Sequence, residues 1–170
     1  MKNKPIIVVA GQPNSIFFEI FLKSIKIKKY KSPIILIASS ELLNSQMKKF
    51  KSKKKIKLLN LRNLKKEKLN NNMINIIDIK LHDKKSYKNK SNNINNYINQ
   101  SFELAFKIIK DGYTDKMING PINKTNFLNK KFLGITEYIS YKFKIKKNAM
   151  LIYNKDLSVS PVTTHLPIKL

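Results

Sequence analysis

A chain of 170 residues with 42% hydrophobic residues is long enough to bury the core of one globular domain. It contains no run of 18 apolar residues, which excludes a transmembrane helix, and the apolar stretch at 6–10 is too short for a secretion signal. The absence of cysteine excludes disulfides and thiolate metal sites, so we expect a cytoplasmic protein without a membrane partner.

The formal net charge of +25 raises the possibility of a nucleic-acid-binding protein. Arg62 is the only arginine among the 35 basic residues, however, and arginine usually makes the bidentate contacts that read phosphates and bases. Lys, Asn and Ile are enriched together, as in residues 68–77, and all three have A/T-rich codons. We therefore attribute the charge to base composition and expect no nucleic-acid partner. Nucleic-acid binding stays open as a third class, which predicts affinity with a steep salt dependence.

The first part of the chain alternates predicted strands and helices. Its predicted elements, in order, are a buried strand at 6–10, a helix at 15–29, a buried strand at 33–38, a helix at 41–50 and a strand at 56–59. We expect Ser15 to cap the first helix, and Ser39 or Ser40 to cap the second.

The segment 62–96 is rich in Lys and Asn and has one apolar run, at 73–79. A helix is predicted from 94 to near 111, with Gly112 as its C-terminal cap. The predicted elements that follow are a strand at 116–118, a helix from 122, a helix at 137–143, and strands at 149–153 and 157–162. This alternation predicts an α/β fold with a mostly parallel sheet.

Four loops that follow predicted strands or open predicted helices carry the candidate functional residues: 11–15, 119–124, 134–138 and 163–167. Gly11 allows the backbone to approach a ligand, with a helix N-terminus behind it, although an ordinary tight turn explains the same pattern. There is no common nucleotide-binding glycine motif, so the cofactor-binding residues are unknown.

Three side chains in these loops are candidates for chemistry. Lys124 lies at a helix start, where the dipole disfavours a cation, so it either holds a phosphate or carboxylate or is one more surface lysine. Thr136 is expected to be an N-cap, and its hydroxyl with the open N–H groups of a helix start also suits a phosphate. His165 is expected at the end of a buried strand, as a metal ligand or as a structural histidine. His82 is read as a surface residue.

The order and spacing of these loops resemble the N-terminal half of the 4-hydroxythreonine-4-phosphate dehydrogenase family of vitamin B6 biosynthesis. The matching motifs read Gly-Gln-Pro-Asn-Ser-Ile-Phe-Phe-Glu at 11–19, Asn-Gly-Pro-Ile-Asn-Lys at 119–124, Gly-Ile-Thr-Glu-Tyr at 134–138 and Thr-Thr-His-Leu-Pro at 163–167.

The resemblance implies an enzyme that oxidises 4-phosphooxy-L-threonine, a phosphorylated hydroxy-amino acid, with NAD or NADP. The product is a 3-oxo acid that loses CO₂ to give 3-amino-2-oxopropyl phosphate. It also implies a divalent cation (Zn, Mg or Co) bound by three histidines, of which His165 matches the first. Thr136 matches a substrate-binding threonine, and Lys124 matches a basic residue that we treat as a tentative catalytic residue. The implied fold is a three-layer α/β/α architecture similar to isocitrate and isopropylmalate dehydrogenases, in an obligate homodimer.

Several positions depart from the family pattern. Ile135 stands where the family has a substrate-binding histidine, Asn119 replaces a threonine, and Ser15 and Phe17 replace glycines of the first loop. The chain also ends before the other two metal histidines and most of the nicotinamide-binding region, so residues 1–170 are expected to be the N-terminal portion of a truncated domain. We therefore expect the isolated chain to be inactive. The alternative is a non-catalytic α/β module that binds a phosphorylated metabolite.

Overall fold

A five-stranded parallel sheet organises the first part of the molecule. The computed structural model describes residues 3–81, 91–128 and 131–163. The chain forms two compact units, Met1–Ile122 and Asn123–Leu170. In the first unit the strands are β1 (Ile6–Val9), β2 (Ile34–Ala38), β3 (Lys55–Leu58), β4 (Met73–Asp78) and β5 (Met117–Asn119), in the spatial order β3-β4-β2-β1-β5. All of the pairings are parallel, as the apolar runs predicted.

Helices cover both faces of this sheet, which confirms the predicted three-layer α/β/α arrangement. They are α1 (Phe17–Ile27), α2 (Ser40–Lys49) and α3 (Ser91–Lys110), and 3₁₀ turns span Leu61–Lys66. On one face, Phe18 and Phe21 of α1 and Leu43 of α2 pack with alternate strand residues such as Leu36 and Ile76.

Helix α3 carries a second set of buried apolar residues, because its apolar positions recur at helical spacing. Ile98, Phe102 and Phe106 are at most 1% exposed, and α3 contacts β1 and β2, whose Val9 and Ile37 are fully buried. The helix ends as predicted at Gly112, whose φ of +72° is readily adopted by glycine and whose N–H donates to the carbonyl of Ile109. None of the helices in the described residues is long and apolar enough to span a membrane.

The second unit consists of short elements: helices α4 (Lys124–Phe127) and α5 (Ile135–Phe143), and strands β6 (Ile152–Tyr153) and β7 (Ser158–Val159). The last two strands pair antiparallel as a separate two-stranded sheet. They are shorter than the predicted strands at 149–153 and 157–162, and their residues are exposed. The expectation that a buried strand precedes His165 is therefore wrong, because β7 has only β6 as a neighbour in the described structure.

Candidate functional site

Two of the predicted loops meet at the carboxyl edge of the parallel sheet. Strands β1 and β5 are neighbours in register, with Val9 opposite Asn119, so the loops that follow them emerge side by side. The Gly120 N–H donates to the carbonyl of Val9 at 2.7 Å, and the Gln12 N–H donates to the carbonyl of Pro121 at 2.7 Å. These two bonds cross-link the loops where parallel α/β sheets usually bind ligands.

Glycine is required in both loops because their backbones are in contact. Gly11 has a φ of +73°, and a Cβ placed there would lie closer than 3.0 Å to the carbonyl oxygen of Pro121. A Cβ on Gly120 would collide with the carbonyl of Ala10 and with the ring of Phe17. The two glycines therefore allow the loop contact itself, which gives them a structural role independent of any ligand.

The N-terminus of α1 adjoins the first loop but is capped differently from the prediction. Ile16 is the N-cap residue and makes no side-chain capping bond, so the assignment of Ser15 as N-cap is wrong. The Ser15 hydroxyl instead accepts from the Phe17 N–H at 3.3 Å, while its own N–H donates to the carbonyl of Gln12. The turn 12–15 places Ser15 one residue ahead of the cap, and its hydroxyl still partly satisfies the helix start.

Glu19 lies in the first turn of α1 and forms an ion pair with Lys23, 2.6 Å away. The hydrogen bond from the Lys23 ammonium lowers the pKa of the Glu19 carboxyl from its ordinary value. Because the pair is surface-exposed, it contributes little to stability.

Lys124 is the first residue of α4, as its predicted position near a helix start required. Its side chain is exposed. The cap of this four-residue helix is Asn123, whose side-chain oxygen accepts from the Asn126 N–H at 3.1 Å. Because α4 is a single turn and Lys124 also belongs to its last turn, the helix dipole gives no argument for a ligand at this position.

Thr136 lies inside α5 rather than at its cap. The N-cap is Gly134, which makes no side-chain capping bond, so the prediction of a Thr136 cap is wrong. The helix begins two residues earlier than the predicted 137 because Gly134 has the extended backbone of a cap residue. Gly134 has no side chain that could cap the first-turn N–H groups of α5, and this turn contains the half-buried Thr136 and the acidic Glu137.

An aromatic cluster brings the helices of Lys124 and Thr136 next to each other. The rings of Phe127 in α4 and Tyr138 in α5 are 5.4 Å apart in an edge-to-face arrangement, and Phe132 contacts Tyr138 at 5.5 Å. Phe127 and Tyr138 are both buried. These contacts pack the last residue of α4 against the first turns of α5 within the second unit.

The predicted metal ligand His165 and the histidine at 82 lie outside the described residues, so their predictions stand as predictions. Within residues 3–81, 91–128 and 131–163, no three His, Cys, Asp or Glu side chains are grouped so that they could hold a metal ion. Since both histidines of the chain lie outside these ranges, the described side chains do not test the three-histidine cation site that the resemblance implied.

A polar network at neighbouring strand exits was missed by the sequence analysis. Asp78, at the end of β4, accepts from the Ser40 N–H at 2.7 Å, and the buried Tyr97 hydroxyl accepts from the Ser39 N–H at 3.1 Å. Burial raises the pKa of Tyr97 to about 12, and the negative charge of Asp78 adds to the increase. The one acidic residue within the apolar run 73–79, Asp78, was the sequence feature that could have indicated this network.

These features define a three-layer α/β protein with paired glycine loops at the carboxyl edge of a parallel sheet. The family described as pyridoxal phosphate biosynthetic protein PdxA matches residues 29–170. The chain belongs to this family.

Individual relatives agree with this assignment. The chain is 35% identical over 78 residues to a 4-hydroxythreonine-4-phosphate dehydrogenase of Neisseria meningitidis serogroup A, a match covering 43% of this chain and 24% of that protein. It is 32% identical over 72 residues to the protein of that name from Bacteroides thetaiotaomicron, covering 41% and 20%.

Solved structures match nearly the whole chain. Those of 4-hydroxythreonine-4-phosphate dehydrogenases from Burkholderia phymatum and Klebsiella pneumoniae both have TM-scores of 0.78, at 18% and 20% identity. The matches cover 97% and 98% of this chain but 51% and 52% of those chains. The chain thus spans about half the length of these structures and shares their fold over that half.

Proposed function

We propose that residues 1–170 are the N-terminal portion of a 4-hydroxythreonine-4-phosphate dehydrogenase and contribute part of its substrate site. The family match over residues 29–170 carries this proposal. The reaction proposed for the longer protein is the metal-dependent, NAD- or NADP-linked oxidation of 4-phosphooxy-L-threonine to a 3-oxo acid, which decarboxylates to 3-amino-2-oxopropyl phosphate. We further propose a cytoplasmic homodimer for that protein.

The contribution of this chain is binding of the substrate phosphate. A phosphate needs N–H donors and a positive charge, and the start of α5 offers N–H groups without a capping side chain from Gly134. The Thr136 hydroxyl is a further donor on that helix, and Lys124 is an exposed cation on the helix packed beside it. Proton and hydride transfer are not assigned to the described residues, because they do not supply the metal ligands.

A second candidate function is a non-catalytic module that binds a phosphorylated metabolite, and it is favoured by Ile135, which stands where the family pattern has a substrate-binding histidine. The two candidates share phosphate binding and differ in turnover. With substrate, NAD⁺ or NADP⁺ and a divalent cation, we expect no formation of reduced nicotinamide by the 170-residue chain. Turnover by a longer product of the same reading frame supports the enzyme, and its absence there supports the module.

Binding itself is tested by calorimetric titration of 4-phosphooxy-L-threonine into the chain, with inorganic phosphate as competitor. We expect Lys124→Gln to weaken binding roughly tenfold, since charged hydrogen bonds contribute about 1.5–3 kcal/mol. Thr136→Val, which keeps the side-chain shape, should weaken it roughly fivefold. Lys146→Gln removes an exposed lysine of the same unit and is the matched control. If the three variants bind alike, the proposed site is wrong.

A further inference from the structure

A large cavity lies at the opposite, amino edge of the sheet, away from the paired glycine loops. It has a volume of about 1250 Å³. Its lining comes from the second half of α1 and the segment that leads into β2 (within 21–34), from the residues that lead from α2 into β3 (50–55), and from the segment that leads into and begins β4 (69–75). Small-molecule pockets usually have volumes of about 300–1,000 Å³, so this cavity is large enough for a segment of a macromolecule.

All of the charged side chains that line this cavity are positive. Nine of its 24 lining residues are lysines, from 23–31 and 51–55, and none of the 24 is Asp or Glu. The whole chain has 35 basic residues and 10 acidic residues in 170, so basic side chains are concentrated here beyond the general composition. A concave, lysine-rimmed surface without carboxylates focuses a positive potential that attracts anions.

Helix ends explain few of these lysines. Helix α1 ends at Ile27 and α2 at Lys49, and the dipole favours cations only within the last turn. Most of the cavity lysines, including Lys31, Lys53 and Lys55, lie beyond those ends. Two of the nine cavity lysines have a partner in the protein: Lys23 forms an ion pair with Glu19, and Lys54 donates to the carbonyl of Asn71.

Besides the lysines, the cavity lining contains ten apolar residues, most of them aliphatic, and five polar ones, which are Ser52 and the asparagines at 70, 71, 72 and 75. The apolar part is the aliphatic wall. It includes Ile25, Ile34 and Phe50, which are partly buried against the core on the α1–α2 face. Single-stranded nucleic acid is usually bound by stacking on exposed aromatic rings, and of the lining aromatics only Tyr30 is clearly exposed, at 37%. Aliphatic side chains below a ring of ammonium groups instead match a ligand with an apolar side and a carboxylate side.

We propose that this cavity, the lysine groove, binds an acidic amphipathic segment of a partner protein. Apolar side chains of the segment contact the aliphatic wall, and its Glu or Asp carboxylates pair with the lysines at the rim. A second copy of this chain is a poor occupant of this groove, because the nine lining lysines need carboxylate partners and the chain has only 10 acidic residues in 170. The proposal does not depend on the proposed enzymatic function, because none of the residues that line the groove belongs to the proposed phosphate site.

The probe is a fluorescent peptide of about 14 residues, roughly 21 Å as a helix, made of Leu, Ala and Glu with all leucines on one face. Fluorescence anisotropy with the 170-residue chain at about 0.15 M salt measures binding. The control probe has the same composition with the leucines distributed around the helix. We expect it to bind roughly tenfold more weakly, because only one face can contact the aliphatic wall.

Two charge variants locate the site. The groove variant replaces four exposed lysines together by Gln, namely Lys28, Lys29, Lys31 and Lys53. We expect it to bind the peptide roughly tenfold more weakly. The matched control replaces Lys65, Lys66, Lys107 and Lys110 by Gln, which removes the same charge outside the groove and should change affinity less than about twofold. Circular dichroism and urea denaturation verify that both variants remain folded.

Four outcomes overturn the proposal. These are equal binding of the two peptides, equal weakening in the two charge variants, tighter binding of an oligouridylate than of the amphipathic peptide, and self-association of the chain that the groove variant abolishes. The third outcome identifies a nucleic-acid surface, and the fourth identifies a second copy as the occupant.

Discussion

Replacing Gly120 by Ala tests the loop contact at the carboxyl edge. The added Cβ would collide with the carbonyl of Ala10 and with Cδ2 of Phe17. Ala10 is held by its own N–H bond to the Ile37 carbonyl at 3.1 Å, and Phe17 is buried, so neither group is free to move away. Overpacking of this kind costs about 1–3 kcal/mol, and we expect a value of about 3 kcal/mol because a backbone atom is involved.

Gly112→Ala is the matched control, because it makes the same chemical change in open space. No atom lies within 4 Å of a Cβ built there, and its φ of +72° is the remaining source of strain. The left-handed conformation costs about 1 kcal/mol for alanine. The two variants should therefore differ by about 2 kcal/mol in the free energy of unfolding.

Urea denaturation followed by far-ultraviolet circular dichroism measures this difference. With a slope of about 2 kcal/mol per molar urea, the midpoints of the two variants should be separated by about 1 M. If Gly120→Ala is no less stable than Gly112→Ala, the two loops are not in contact and the described carboxyl edge is wrong.

Three further predictions concern the first unit. Tyr97→Phe should abolish a pH-dependent loss of stability, because the Tyr97 phenol has a pKa near 10 in the unfolded chain and about 12 in the folded protein. The resulting contribution of about 3 kcal/mol is intact below pH 10 and is lost as the pH rises toward 12. Urea denaturation of both proteins at alkaline pH measures this loss. Ser39→Ala should cost about 1 kcal/mol in urea denaturation, because its side chain caps α2 through the Leu42 N–H; an unchanged midpoint would contradict the cap. Phe102→Ala should cost about 3–5 kcal/mol, since Phe102 is fully buried, whereas Lys107→Ala on the exposed face of α3 should be nearly neutral.

The core of the first unit was predictable because its strands and helices have strong periodicity. The run at 6–10 became β1 (Ile6–Val9), and the apolar spacing after 94 became part of α3 (Ser91–Lys110). A parallel strand that is buried on both faces is apolar throughout, and a helix covering it is apolar on one side. These patterns are determined by burial and are visible in a single sequence.

The ends of elements and the site were less predictable, because they depend on contacts between distant residues. Ser15 and Thr136 are residue types that commonly cap helices, yet Ile16 and Gly134 occupy the cap positions. The contact between Gln12 and Pro121 joins residues more than a hundred positions apart, and it follows from β1 and β5 being neighbours. Sequence spacing did not determine that strand order.

The terminal strands were mispredicted for a different reason. The runs at 149–153 and 157–162 have the composition of buried strands, but β6 and β7 are two residues each and exposed. A two-stranded ribbon is only marginally stable and has little apolar surface to cover it. The composition of these runs therefore indicated strands correctly. The burial of the two strands would require further elements packed against them, and the described residues contain none.

Titration of 4-phosphooxy-L-threonine into the isolated 170-residue chain shows whether α4 and α5 bind the phosphate of the substrate. We expect saturable binding that inorganic phosphate displaces and that Lys124→Gln weakens roughly tenfold relative to Lys146→Gln. An absence of binding, or equal binding by the two lysine variants, would contradict the claim that α4 and α5 supply part of a substrate phosphate site.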